Sequence, residues 1–163
     1  MQLYLLRHGV AEDAPPGGND ADRALTRDGR RKLAETLHRA AEAGVHPSLI
    51  LTSPFKRAVQ TAEIAKQILG YSEPLQKTSA LTPNSSADAA WQEIRAYRDQ
   101  ASLLLVGHNP LFSDLAAFLL GSPGLQVDFK KGAILRIDLE QFSASPRGIL
   151  RWYLIAKLAP KRS

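Results

Sequence analysis

Residues 3–9 read LYLLRHG, four large apolar residues followed by an arginine, a histidine and a glycine. An apolar run of this kind predicts a buried strand. Open α/β sheets bind their ligands beyond the carboxyl ends of the strands, so we expect Arg7 and His8 at a ligand site. Gly9 would let the backbone turn away and let a ligand approach closely.

A second apolar run, LILT at residues 49–52, passes directly into a helix. Ser53 is predicted as the N-cap and Pro54 as the first residue of a helix that reaches about Leu69. Arg57 lies in the first turn of this helix, where the helix dipole favours an anion over a cation. An arginine at this place therefore indicates an anion bound between the two.

A third apolar run, residues 102–106, ends in Gly107-His108-Asn109-Pro110. Asn109 is predicted as the N-cap of a helix that ends near Gly121. Because right-handed crossovers bring parallel strand ends to one rim of a sheet, His108 is expected close to the residues that follow the other two strands.

The remaining chain alternates between helix and strand patterns. It predicts a three-layer α/β/α sandwich with a mostly parallel mixed central sheet, in one domain spanning residues 1–163. We expect Thr26 to cap a helix that Gly44 ends, with Arg23 just before it. The other predicted elements are a loop at 10–22, an edge strand at 74–78, a helix at 87–97 with Trp91 in the core or an interface, and hairpin strands at 133–139 and 149–157.

Composition limits the possible functions. The 163 residues include no cysteine, which excludes disulfides, thiolate metal sites and a cysteine nucleophile. No apolar run approaches the roughly 18 residues of a membrane helix, and no leader is recognisable, so we expect a cytoplasmic protein without a membrane partner. The net charge of +5 includes a basic tail at Lys161-Arg162. The basic residues are scattered rather than gathered in an aromatic-rich groove, which argues against nucleic acid and suits an acidic phosphoprotein.

The residues expected at the sheet edge suit phosphate chemistry. Guanidinium groups supply forked donors that match phosphate oxygens. A neutral imidazole is a competent nucleophile toward phosphorus. No carboxylate joins His8 and His108 in a metal-ligand pattern, and the neighbouring arginines would repel a cation, so we expect neither a metal nor another cofactor.

These motifs resemble the histidine phosphatase superfamily, which includes the cofactor-dependent phosphoglycerate mutases. The match consists of Arg7-His8-Gly9, residues 53–62 (SPFKRAVQTA) and Gly107-His108-Asn109-Pro110, in the family's order. With Arg23-Ala24-Leu25-Thr26 upstream of the first long helix, the chain looks most like the SixA phosphohistidine phosphatases.

The resemblance implies a role for each matched residue. His8 would be the nucleophile that takes the phosphoryl group, while Arg7 and Arg57 bind its oxygens and His108 donates to them in the transition state. Hydrolysis of phospho-His8 would complete the cycle. The further residues assigned to phosphate binding are Arg23, Gly9 and Asn109.

The chain departs from its larger relatives at the general acid. Those proteins carry an acidic residue in a middle insertion or directly after the second histidine, where this chain has Asn109, and residues 81–90 are too short for a lid. Glu12, Asp13 and Asp88 are the remaining candidates. A protonated phosphohistidine needs little help, because the leaving imidazole has a pKa of about 6.5. We therefore expect a phosphatase for phosphohistidine on a protein substrate of the histidine phosphotransfer type, acting as a monomer.

Two other functions remain open at this point. A general small-molecule phosphomonoesterase would use Glu12 or Asp13 as the acid. A non-catalytic module would bind phosphate in the same pocket without forming a phosphoenzyme.

Overall fold

One mixed β-sheet organises the protein. A computed structural model describes residues 1–161, and within this range six strands form a single sheet. The strands are β1 (Gln2–Arg7), β2 (Leu49–Thr52), β3 (Gln76–Lys77), β4 (Ser102–Gly107), β5 (Ile134–Asp138) and β6 (Ile149–Leu154).

The strand order is β3-β2-β4-β1-β5-β6. Strand β1 lies near the centre, parallel to β4 and antiparallel to β5. Strand β2 is parallel to both β3 and β4, and β5 and β6 form an antiparallel pair with a register shift between Arg136 and Ile137. The predicted mostly parallel mixed sheet is confirmed.

Helices cover both faces of the sheet. Tyr4 and Leu6 of β1 are buried with residues of α1 (Arg27–Glu42) and α2 (Lys56–Ile68). Leu3 and Leu5, which alternate with them along the strand, are buried with α3 (Ala87–Ala96) and α4 (Leu111–Leu119). Continuous apolar strands are what a sheet covered on both faces requires, and the three-layer α/β/α sandwich is confirmed.

Helix starts were predicted with mixed success. Thr26 caps α1 as predicted, since its Oγ1 accepts from the amide of Gly29 at 2.8 Å. The prediction for Ser53 was wrong, because the N-cap of α2 is Phe55; the hydroxyl of Ser53 accepts from the amide of Phe55 at 3.3 Å, ahead of the helix. Asn109 lies one residue before the N-cap of α4, yet its Oδ1 still accepts from the amide of Ser113 at 3.1 Å.

The loop at residues 10–22 is more structured than predicted. Ala11 forms an isolated antiparallel bridge with Leu25. Asp20–Asp22 is a 3₁₀ turn capped by Asn19, whose side chain accepts from the amide of Ala21 while the carboxylate of Asp22 accepts from the amide of Asn19. This reciprocal cap orders the backbone of the turn that carries Asp20.

The carboxyl-terminal strand is shorter than predicted. It ends at Leu154, and Ala156–Leu158 form a 3₁₀ turn that packs near α1. Arg162 of the predicted basic tail lies outside the described residues. None of the helices in residues 1–161 is both long enough and apolar enough to span a membrane.

Candidate active site

Three parallel strands bring the predicted residues together at one edge of the sheet. Pairing continues one residue past the strands, because the amide of His8 donates to the carbonyl of Gly107 at 3.0 Å and the amide of Ser53 donates to that of Val106 at 2.9 Å. The rings of His8 and His108 consequently lie with their centroids 5.0 Å apart. The expectation that distant parts of the chain converge here is met.

The two nitrogens of His8 have different partners. Nδ1 lies 2.7 Å from the carbonyl oxygen of Gly9, which can only accept a hydrogen bond. Nε2 accepts from Nε–H of Arg57 at 3.3 Å, because a guanidinium can only donate. These partners place the proton on Nδ1 and leave the lone pair on Nε2. His8 is thus held in the tautomer that a nucleophilic Nε2 requires.

His8 stays neutral in the folded protein. The side chain is only 5% exposed. Burial lowers the pKa of His8 from 6.5 to about 4; the hydrogen bond to Gly9 opposes this, and the charges of Arg57, Arg7 and Lys131 add to it. At neutral pH the imidazole is therefore unprotonated and available.

His108 is fixed by Ser53. Its Nε2 shares a hydrogen bond of 2.8 Å with the hydroxyl of Ser53, and the edge of its ring meets Phe55 at 5.3 Å between centroids. Burial lowers the pKa of His108 to about 3, aided by the neighbouring His8 and Arg57. Nδ1 of His108 is buried and has no partner within residues 1–161. A buried polar atom without a partner costs about 1–3 kcal/mol, which a bound oxyanion would recover.

Arg57 is buried and directed at His8. Only 5% of this arginine is exposed. Its Nε contacts His8, and its guanidinium carbon lies 5.2 Å from the ring centre of Phe55. The hydroxyl of Thr61 on the same helix donates to the carbonyl of Arg57 at 2.8 Å and accepts from the amide of Gly9 at 3.2 Å. One side chain thus joins α2 to the segment that carries His8.

Arg7 ends β1 beside the histidine. Its Nη1 donates to the carbonyl oxygen of Phe129 at 2.5 Å, which orients the guanidinium. Its Nε is buried with no partner among the described residues. The hydroxyl of Ser53 accepts from the amide of Phe55 and so can donate to Nε2 of His108, which places the ring proton on Nδ1. In that tautomer Nδ1 of His108 and the free Nε of Arg7 are donors of the kind that a phosphoryl group needs.

Asp20 was not predicted from the sequence, yet its carboxylate reaches the site. Oδ2 accepts from Nη2 of Arg57 at 3.1 Å, and Oδ1 accepts from Nη1 of Arg23 at 3.1 Å. Burial raises the pKa of Asp20, but the hydrogen bonds and charges of Arg23 and Arg57 outweigh it and the pKa is lowered. The carboxylate therefore occupies the donors of two arginines that were predicted to bind phosphate. The Asn19 and Asp22 capping pattern was the sequence signal that could have indicated this turn.

The remaining polar candidates from the sequence differ in how they relate to the site. Arg23 reaches the site through Asp20, and its Nε also donates to the carbonyl of Glu12 at 2.8 Å. The amide of Asn109 is engaged with the hydroxyl of Ser113 at 2.9 Å and so faces α4. The candidate acids Glu12, Asp13 and Asp88 are exposed, and within residues 1–161 their carboxylates make no hydrogen bond or ion pair with a site residue.

Gly9 serves the site through its backbone. Its φ lies outside the positive range, so no special conformation demands glycine there. A Cβ on Gly9 would lie 3.4 Å from the carbonyl oxygen of Gly29, and the close approach of a ligand to Gly9 stays a prediction. The carbonyl of Gly9 holds the proton on His8, and its amide binds Thr61.

The described residues contain no group of three or more His, Cys, Asp or Glu side chains that could hold a metal ion. The site instead combines one unprotonated imidazole nitrogen, a second buried imidazole and two arginines. This arrangement can attack an electrophilic phosphorus and neutralise the charge that develops on its oxygens.

Comparison with known proteins agrees with this chemistry. Residues 3–83 match the family model of the histidine phosphatase superfamily, branch 1. The chain is 38% identical over 138 residues to an uncharacterised protein of Picosynechococcus sp., covering 83% of each protein. The chain therefore belongs to the histidine phosphatase superfamily.

Within the superfamily the chain is similar to SixA. It is 29% identical over 157 residues to the phosphohistidine phosphatase SixA of Escherichia coli, covering 94% of this chain and 93% of that protein. A solved structure of the protein histidine phosphatase SixA complexed with tungstate matches with a TM-score of 0.86 at 28% identity, covering 96% of this chain and 98% of that one. The resemblance noted in the sequence is confirmed.

Proposed function

We propose that this protein hydrolyses phosphohistidine on a protein substrate through a phospho-His8 intermediate. The observation that carries the proposal is the state of His8: buried, neutral, with its proton held on Nδ1 by the carbonyl of Gly9 and its Nε2 lone pair beside Arg57. The likeness to SixA supports the choice of substrate.

The first step transfers the phosphoryl group. Nε2 of His8 attacks phosphorus as the N–P bond of the substrate breaks, and the substrate imidazole departs with its own proton as a neutral ring. Arg57, Arg7 and Nδ1 of His108 donate to the phosphoryl oxygens as their charge grows. Because this leaving group has a pKa of about 6.5, no carboxylic acid is needed.

The second step regenerates the enzyme. Water attacks phosphorus, the bond to Nε2 of His8 breaks, and inorganic phosphate leaves with the oxygen and both hydrogens of the water. The hydrogen bond between Nδ1 and Gly9 keeps the departing His8 in the same tautomer. The sum of both steps is phosphohistidine and water giving histidine and phosphate.

Asp20 has a defined part in this cycle. Its carboxylate accepts from Arg57 and Arg23, so an incoming phosphoryl group competes with it for the same donors. We expect the turn at Asp20–Asp22 to give way, because 57% of the Asp20 side chain is exposed and hydration replaces its lost hydrogen bonds.

Trapping the intermediate tests the proposal. Mixing the protein with phosphoramidate and quenching rapidly in alkali, where phosphohistidine survives, is expected to leave one phosphoryl group on the wild-type chain. The His8→Ala variant should carry none. The control variant His38→Ala, changed at a histidine on α1, should be labelled like the wild type. Phosphate binding by the wild type without a phosphoenzyme would indicate a non-catalytic module.

A second candidate, a general small-molecule phosphomonoesterase, is favoured by one observation. A carboxyl group, that of Asp20, lies at the site and in its protonated form would be a proton donor for an alkoxide leaving group, although Arg23 and Arg57 lower its pKa and so oppose this role. Comparing kcat/KM for free phosphohistidine and for a sugar phosphate separates the two functions. Faster hydrolysis of the sugar phosphate would contradict our assignment.

A further inference from the structure

A basic groove of about 820 Å³ lies beside Arg7. Seven lysine and arginine side chains line it, against two carboxylates, Glu35 and Asp128. Besides Arg7, the cations come in pairs from three parts of the chain: α1, the loop before β5, and the carboxyl-terminal segment. The groove therefore has a strongly positive surface assembled by the fold.

Several of these charges are not neutralised within the protein. Arg31 and Lys32 on α1 form ion pairs with Asp28, and Lys130 forms one with Asp128. By contrast, the remaining lysines are exposed and have no ion pair with any of residues 1–161. These are Lys131, Lys157 and Lys161.

The groove and the candidate active site share one residue, Arg7. Arg7 lines it and also directly precedes His8. Val10, two residues after His8, lines it as well. The positive charge of Lys131, which also lines the groove, contributes to lowering the pKa of His8. A molecule bound in the groove would thus contact Arg7, one of the residues expected to bind the phosphoryl group.

The lining suits a polypeptide better than a nucleic acid. Apolar side chains, including Ile155, Ala156 and Ala159, alternate with the lysines, and no aromatic ring on which a base could stack is among the lining residues described. The volume greatly exceeds that of a phosphoryl group, so the groove offers room for residues flanking a phosphorylated side chain.

We propose that this groove binds a glutamate- and aspartate-rich segment next to the phosphohistidine of the substrate protein. The proposal rests on the proposed function and adds the chemistry that selects the partner. Acidic side chains would pair with Lys157 and Lys161 while the phosphoryl group binds Arg7, which the groove shares with the candidate active site.

Two phosphohistidine peptides test the inference, identical except that glutamates flank the phosphohistidine in one and glutamines in the other. The wild type should show a higher kcat/KM for the glutamate peptide by roughly three- to tenfold, the effect of a few exposed charge pairs. Lys157→Glu with Lys161→Glu should bring the ratio to one or below. Arg98→Glu with Arg147→Glu, an equal charge change at exposed sites beyond α3 and beside the end of α4, should keep the wild-type ratio.

The outcomes separate this inference from the proposed function. Equal hydrolysis of both peptides by the wild type would overturn the groove proposal and leave the function standing. If neither peptide is hydrolysed, the function fails, and fluorescence anisotropy with unphosphorylated labelled peptides decides on the groove alone. Glutamate-specific binding that Lys157→Glu with Lys161→Glu weakens would support the groove, and its absence would overturn it. Tighter binding of a single-stranded oligonucleotide of equal charge, weakened by the same variant, would also overturn it.

Discussion

Replacing Asp20 by asparagine is expected to tighten the binding of phosphate and of its analogue tungstate. The variant keeps the size of the side chain but removes the charge that holds Arg57 and Arg23, at 3.1 Å from each. Because 57% of the Asp20 side chain is exposed, each ion pair is discounted to about 0.5 kcal/mol. Together they contribute about 1 kcal/mol, which corresponds to an inhibition constant about fivefold lower.

The assay is inhibition of free phosphohistidine hydrolysis by inorganic phosphate. We expect a lower inhibition constant and a lower KM in Asp20→Asn, with kcat retained. Asp13→Asn is the matched control, since it makes the same charge change at an exposed loop carboxylate without a hydrogen bond to Arg23 or Arg57. A large fall in kcat with an unchanged inhibition constant would refute the competition argument and identify Asp20 as a general acid.

Three further variants or conditions test other parts of the structure. The pKa values of about 4 for His8 and about 3 for His108 lie below the ordinary 6.5, so the unfolded chain binds more protons and stability falls as pH drops from about 6.5 towards 4. Each histidine should account for about 2 kcal/mol of unfolding free energy lost between about pH 7.5 and 5; urea titrations in which His108→Asn keeps the full pH dependence would contradict this. Ser53→Ala leaves Nε2 of His108 without its 2.8 Å partner and should cost about 1–3 kcal/mol, with a lower kcat but retained phosphoenzyme formation. Gly107→Ala brings a Cβ within 2.8 Å of a phenylalanine ring on α4 and should cost about 1–3 kcal/mol in thermal unfolding, whereas Gly124→Ala, with nothing within 4 Å, should be nearly neutral.

The sequence predicted those site residues that follow directly from strand order. His8 and His108 directly follow β1 and β4, and Arg57 lies in the first turn of the helix after β2, so the order of these parallel strands brings them together. Hydrophobic periodicity and turn residues locate the strands in the sequence. Because the carboxyl ends of parallel strands meet at one edge of a sheet, the strand positions are enough to predict which residues meet there.

Hydrogen-bond partners set by tertiary contacts were harder to predict. Ser53-Pro54 has the sequence of a helix start, but the hydroxyl of Ser53 binds His108 and the helix begins at Lys56. Thr52 of β2 pairs with Val106 of β4, and this register brings Ser53 close to His108. The local sequence around Ser53 does not reveal the pairing. The hydroxyl of Ser53 therefore serves both the local turn, by accepting from the amide of Phe55 at 3.3 Å, and the histidine that follows the neighbouring strand.

The hydrogen bonds of Asp20, a loop residue, were likewise not predictable from the local sequence. The composition of residues 10–22 indicates only turns, whereas the destination of a loop carboxylate depends on where the loop packs. The resemblance assigned Arg23 to phosphate binding, whereas in the structure the carboxylate of Asp20 accepts from both Arg23 and Arg57 and so connects the two arginines.

The partner that sets the His8 tautomer is a main-chain carbonyl rather than an aspartate or glutamate. A side-chain partner can be lost through a single mutation or neutralised by acid, but the carbonyl at residue 9 persists whatever amino acid stands there. The location of the proton on Nδ1 of His8 therefore does not depend on the side chain at residue 9. Substitutions elsewhere in the site can accordingly change substrate binding without changing which nitrogen of His8 reacts.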